Sequence, residues 1–188
     1  MTARRSRGFE GGAEGAPLRE AFYLDVDRCT GCYACAVACM DQNDLEAGDG
    51  ATAWRTVFTV ESGAYPEASV RYVSLACMHC EDAPCVLTCP TGALQLDTGP
   101  HAVRVDGESC IGCHGCAIAC PYGVPRFGAD GRMQKCDSCV DRLRAGLEPA
   151  CVRVCPTGAL RYGDPNERGL AVERAAASRL AGQEPPQV

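Results

Sequence analysis

Bulky apolar side chains are scarce in this chain. One Trp, four Phe, six Tyr and four Met are spread over 188 residues, too few to build an ordinary hydrophobic core. No Ser–His–Asp constellation, no phosphate loop and no dinucleotide-type glycine turn occurs, so nothing signals a site for substrate, nucleotide or flavin. No basic patch stands out and the net charge is −6, which argues against nucleic acid as a partner. The apolar runs are too short to span a bilayer, and none of signal-peptide length follows Arg4 and Arg5. The expectation is a protein soluble by itself, without a direct membrane span, and cytoplasmic unless a signal-bearing partner carries it out. Residues 1–20 read as a flexible tail.

What the chain has in abundance is cysteine, with 21 Gly and 12 Pro beside it. The sixteen cysteines fall into four groups of four. Group one is Cys29, Cys32, Cys35 and Cys39; group two is Cys77, Cys80, Cys85 and Cys89. Group three is Cys110, Cys113, Cys116 and Cys120; group four is Cys136, Cys139, Cys151 and Cys155. Groups one and three keep the spacing C-x2-C-x2-C-x3-C, while groups two and four stretch the second gap.

Three chemistries compete for such thiols. Disulfides between cysteines two apart close strained loops, and nothing signals secretion. Zinc ribbons build one tetrahedron from two separated C-x2-C knuckles, whereas here a third cysteine follows at once. A [4Fe–4S] cube suits the spacing best, because one continuous turn reaches three of its corners and a fourth, more distant cysteine serves another cube. Cys110, Cys113 and Cys116 then hold one cube and Cys120 a second. Sixteen thiolates complete four cubes with none left over. A zinc-holding interaction scaffold stands as the alternative from another class.

The chain also repeats itself. CPTGALQLD begins at Cys89 and CPTGALRYGD at Cys155, and FYLDVDRCTGC resembles AVRVDGESCIGC. Each reads as a short strand, a turn and a cluster loop. The strand after CPTGAL is expected to pair with the strand before a cluster loop, as in a hairpin of Leu94–Asp97 with Ala102–Asp106. Pro after Cys89, Cys120 and Cys155 ends the short helix that carries the last cysteine; Cys39 is followed by Met40 instead. AWRTVFTVE and SVRYVSLA alternate as strands joined by SGAYPEA. Asp164, Pro165 and Glu167 predict the start of a helix running to Leu180, with GQEPPQV as a loose end.

CMHCEDAPC, CPYGVPRF, KCDSCVDRLRAGLEPAC and CPTGALRYGD, with the four cysteine groups, resemble the four-cluster ferredoxin-like subunits of molybdenum or tungsten pterin oxidoreductases. These include the iron–sulfur subunits of dimethyl sulfoxide, polysulfide and thiosulfate reductases and of membrane-bound formate dehydrogenases. The resemblance covers roughly residues 21–168. It implies an α+β fold of two bacterial-ferredoxin-like modules, one inserted in the other. Residues 21–61 and 127–165 would form the first module, residues 62–126 the inserted one, and residues 166–188 a C-terminal helix and tail. It further implies the ligand sets Cys29–Cys32–Cys35–Cys155, Cys39–Cys136–Cys139–Cys151, Cys77–Cys80–Cys85–Cys120 and Cys89–Cys110–Cys113–Cys116. The implied partners are a pterin catalytic subunit and a membrane anchor or other redox subunit. The implied role is a relay of single electrons through four [4Fe–4S] clusters, with no catalysis of its own. A polyferredoxin-like subunit of a hydrogenase or tungsten aldehyde oxidoreductase is the runner-up.

Other side chains take plainer readings. With every iron corner thiolate-bound, His79 and His114 are expected to be structural. Tyr33 and Tyr122 should screen clusters from water, and Trp54 and Tyr65 should fill the small core of the two middle strands. Lys135 and Arg126 belong either to a solvated face or beside cluster charge.

Overall fold

The computed structural model describes residues 20–45, 53–97 and 101–183. The N-terminal tail, most of the polar stretch after Asn43, the tip of the TGPH turn and the last five residues lie outside them. The order of elements is β1 (Ala21–Leu24), α1 (Ala34–Gln42), β2 (Thr56–Ser62), β3 (Ser69–Leu75), α2 (Pro84–Leu87), β4 (Leu94–Asp97), β5 (Ala102–Val105) and α3 (Gly115–Ala119). Then come β6 (Arg126–Phe127), β7 (Met133–Gln134), α4 (Val140–Arg144), α5 (Ala150–Arg153), β8 (Leu160–Gly163) and α6 (Pro165–Leu180). The described residues form four two-stranded antiparallel sheets: β1–β8, β2–β3, β4–β5 and β6–β7. This is a small α+β fold of the ferredoxin type.

The repeat in the sequence becomes a repeat in space. Each strand after a CPTGAL turn pairs with the strand before a C-x2-C-x2-C loop. Thus β8 lies on β1, with Leu160 opposite Leu24, and β4 lies on β5, with Leu94 opposite Val105. The helices follow suit, with α1 against α5 and α2 against α3. The two cluster loops enter their helices alike. Tyr33 before α1 and His114 before α3 both sit at φ 61°, in the left-handed region. The missing Pro after Cys39 has a visible effect. Cys120 is the last residue of its turn before Pro121, but α1 runs through Cys39 and Met40 to Gln42. At α2 and α5 the helix already stops before Cys89 and Cys155.

The core is thin, as composition requires. The largest side chains buried to under 2% are Val103, Val140 and Pro149. Three small apolar clusters hold the chain, and each includes buried cysteine: Cys116 with Leu94, Val103 and Met133; Cys35 and Cys151 with Val57 and Leu160; Cys77 and Cys136 with Ala76 and Val124. Burying a Val or Leu contributes about 1.5–3 kcal/mol, so a handful of such residues stabilises little by itself. Trp54 packs on the third cluster, and its Nε1 donates to Gln134 Oε1 at 3.4 Å. Tyr65 does not fill a core: it is 96% exposed, because SGAYPEA projects it past the ends of β2 and β3, where no second layer covers it.

The helix α6 has the predicted bounds. Asp164 caps it by accepting from the Asn166 N–H at 2.8 Å, a bond that typically stabilises by about 1 kcal/mol. No residue of α6 is buried.

Candidate metal centres

Backbone turns set the cysteines. In both C-x2-C-x2-C loops the residue before the second cysteine is Gly with positive φ, 66° at Gly31 and 64° at Gly112. A Cβ on Gly31 would stand 2.4 Å from the Tyr72 ring, and one on Gly112 2.5 Å from the Gly131 carbonyl oxygen. The loops therefore wrap tightly and turn their thiols inward.

Three cavities are each lined by four cysteines. Cys29, Cys32, Cys35 and Cys155 line one, with Tyr33, Leu24 and Val57. Cys77, Cys80, Cys85 and Cys120 line another, with Tyr122, Val103 and Lys135. Cys89, Cys110, Cys113 and Cys116 line the third, with His114, Phe127 and Met133. Their empty space is nearly equal, about 350, 370 and 350 Å3 in that order, part of it open to solvent. The other four cysteines also neighbour one another. Cys39 feels the charges of Cys151 and Cys139, and Cys136 that of Cys39. The quartets form a row: Cys151 neighbours Cys35, Cys136 neighbours Cys77, and Cys80 and Cys85 share an apolar cluster with Cys89, Cys110 and Cys116.

The thiols differ by environment. Burial first, then Cys151, pushes Cys39 up to about 12, with Arg55 acting against the rise. Burial likewise pushes Cys136, Cys151, Cys139, Cys77, Cys85 and Cys116 above the usual thiol range. At Cys89 and Cys155 burial also raises, but hydrogen bonds outweigh it and hold both thiols low. The donors are the same in each CPTGAL turn: the backbone N–H of Leu94 or Leu160, then Thr91 or Thr157, then Ala93 or Ala159. Leu160 N–H reaches Cys155 Sγ at 3.4 Å. Further N–H groups point at sulfur from Met133 to Cys110 and from His79 to Cys77, each at 3.4 Å.

Among the described residues, no group of three or more His, Cys, Asp or Glu is set to hold a single metal ion. The quartets instead surround a space, as a ligand larger than an ion needs. Two buried cations carry the charge argument. Arg55 and Lys135 are each 3% exposed, and neither pairs with a carboxylate among the described residues. A buried unpaired charge is strongly unfavourable, so these cations call for anions nearby, and the cysteine sulfurs lie within their reach. Thiolate quartets, N–H groups aimed at sulfur, apolar walls and adjacent cations all fit a [4Fe–4S] cube, which with four thiolates carries about −2 when oxidised.

Lys135 corrects the reading of a solvated face: its Nζ donates to the carbonyls of Val103 and Cys136, the latter at 2.9 Å. Arg126 is half-buried and ties to the Gly123 and Pro125 carbonyls. His79 is buried and accepts from Val103 N–H through Nδ1 at 3.0 Å. His114 stacks on Phe127 at 3.7 Å between ring centroids. Tyr33 lines its cavity and donates to the Val57 carbonyl at 3.2 Å. The sequence reading missed Arg55 and Ser74. A lone Arg beside a Trp just ahead of a strand looks ordinary, and its burial depends on segments distant in the chain.

Sulfur-lined cavities in a row are the architecture of an iron–sulfur electron-transfer protein of ferredoxin type. Residues 68–165 match a family model described as a 4Fe-4S dicluster domain, and residues 26–41 one described as a 4Fe-4S binding domain. Over 155 residues the sequence is 39% identical to one of the chains of the anaerobic dimethyl sulfoxide reductase of Escherichia coli (strain K12), covering 78% of this protein and 74% of that one. It is 36% identical over 176 residues to the nitrate-inducible formate dehydrogenase iron-sulfur subunit of the same organism, covering 86% and 60%. It is 34% identical over 178 residues to one of the subunits of the sulfite dehydrogenase of Allochromatium vinosum, covering 85% and 74%. The chain belongs to the 4Fe-4S dicluster family, and its relatives include the iron-sulfur subunit of a formate dehydrogenase and chains of other oxidoreductases.

Proposed function

We propose that this chain holds four [4Fe–4S] clusters and carries electrons between a molybdenum or tungsten pterin catalytic subunit and a membrane anchor or other redox subunit. The carrying observation is that three separate cavities are each lined by four cysteines, always three from one sequence group and one from another. The ligand sets are Cys29, Cys32, Cys35 and Cys155; Cys39, Cys136, Cys139 and Cys151; Cys77, Cys80, Cys85 and Cys120; and Cys89, Cys110, Cys113 and Cys116. Each bound cluster takes up and releases one electron at a time.

The protein's own part is to hold, insulate and tune. The CPTGAL turns hold Cys89 and Cys155 and aim N–H and hydroxyl donors at them, which favours the thiolate and raises a cluster's potential. Tyr33, Tyr122 and the aliphatic walls limit water around the sulfurs.

The two halves of the repeat support a nested arrangement. We read the segments around the β1–β8 pair as one module and those around β4–β5 as the second, nested within it. Among the described residues no helix is long and apolar enough to cross a membrane. A membrane location through partner subunits, and co-export with a signal-bearing catalytic subunit, are compatible with this. An anaerobically purified sample should contain about sixteen iron and sixteen acid-labile sulfide per chain and co-purify with a pterin-containing subunit. Zinc without sulfide would refute the reading.

A further inference from the structure

One buried cation is shared by two quartets. Arg55 lies just before β2, with its guanidinium between the walls of two neighbouring sulfur sites. Nη1 donates to Ser74 Oγ at 3.1 Å, and Ser74 Oγ stands 3.3 Å from Cys35 Sγ. Toward a thiolate the hydroxyl can only donate, so the bond runs from guanidinium through hydroxyl to sulfur. On its other side Arg55 acts through its charge on Cys151, Cys39 and Cys136. The plane is held over the Phe22 ring, 5.2 Å from its centroid. Nε is buried and has no hydrogen-bond partner among the described residues. A side chain kept only for packing would leave neither a buried charge nor a buried unbonded N–H, because apolar residues of similar volume do that task without the desolvation cost.

We infer that Arg55 is a positioning residue that sets the reduction potentials of the two clusters it separates. The inference rests on the cluster assignment proposed above. Adding an electron to a cluster adds negative charge, and a fixed cation held in a low-dielectric wall stabilises the reduced form more than the oxidised one. Arg55 adjoins both sets: it reaches Cys35 through Ser74, and its charge acts on Cys39, Cys136 and Cys151 on the other side. Both of these clusters should respond. The clusters at Cys77–Cys80–Cys85–Cys120 and Cys89–Cys110–Cys113–Cys116 should not respond.

The test is a potentiometric titration followed by electron paramagnetic resonance on the anaerobically purified full chain, with iron and sulfide counted on every sample. Signals are assigned by Cys→Ser changes in each quartet. Arg55→Met should lower the reduction equilibrium of the most affected cluster at least tenfold, 59 mV for one electron. Arg55→Lys should recover part of that loss, and Ser74→Ala should move the Cys29–Cys32–Cys35–Cys155 cluster alone. If Arg55→Met does not load, Arg55→Lys carries the test, since it keeps the charge but cannot reach both sides: a downward shift confined to those two clusters supports the inference, and no shift overturns it. Loaded Arg55→Met with four unchanged potentials, or an equal shift in all four, also overturns it. A wild-type chain without iron and sulfide would instead refute the cluster assignment itself.

Discussion

The two ends of the row of quartets and its middle are built on different principles. At the ends, Cys32 and Cys113 are exposed, and charge on sulfur is met by local donors: each has a CPTGAL turn feeding N–H and hydroxyl groups to Cys155 or Cys89. In the middle, no cysteine is exposed, burial pushes most thiols up, and charge is met by Arg55 and Lys135. The lesson is that a short motif can solvate a sulfur by itself at a surface. Inside, where water is excluded, a whole cation must be brought from elsewhere in the chain. At one end Ile111, next to Cys110, Leu87 on α2 and Ile118 on α3 are exposed, Ile118 to 88%.

Substitutions can break this contrast. The largest expected difference is between Cys136→Ser and Cys113→Ser. Cys136 belongs to the buried apolar cluster with Ala76, Cys77 and Val124, so its loss should strip iron from both middle sites. Loss of exposed Cys113 should cost at most about four of sixteen iron. Iron analysis of the purified variants decides; equal losses would remove the distinction between ends and middle.

Next is Lys135→Met against Arg132→Met. The first leaves the buried Val103 and Cys136 carbonyls without their donor, at about 1–3 kcal/mol for each. The second removes only an exposed pair with Glu108 and should stay within about 0.5 kcal/mol. Thermal unfolding under anaerobic conditions measures both.

Gly112→Ala and Gly31→Ala sharpen the comparison between the two end loops. Both force Ala into the left-handed region, at about 1–2 kcal/mol. Gly112→Ala should be the worse, because its Cβ meets the Gly131 backbone oxygen, whereas at Gly31 it meets a side chain, the Tyr72 ring. Unfolding midpoints should fall in that order. The smallest effect belongs to Thr157→Val and Thr91→Val. Each removes one hydroxyl donor from a turn that keeps its N–H groups. The potential of the nearby cluster should drop by less than the 59 mV that marks a tenfold change for one electron.

Much of this is legible in the chain. The spacing C-x2-C-x2-C-x3-C announces the loops, the doubled CPTGAL announces the paired strands, and Asp164–Pro165 announces α6. Tyr65 departs from its expected place because alternation suggests a core for an aromatic to fill, while β2 and β3 form a ribbon with largely exposed faces. The place of Lys135 is not legible, because the spacing of neighbouring residues carries no information on what lies over them.

The sequence by itself determined the sulfur count, the tight turns and the chemistry, since thiol spacing and glycine conformational freedom are local properties. Only the tertiary structure decided which distant cysteine completes which cavity, and that Arg55 and Lys135 end inside rather than in water. Those outcomes depend on contacts such as Arg55 with Ser74 or Lys135 with Val103, between segments whose separation along the chain no local pattern encodes.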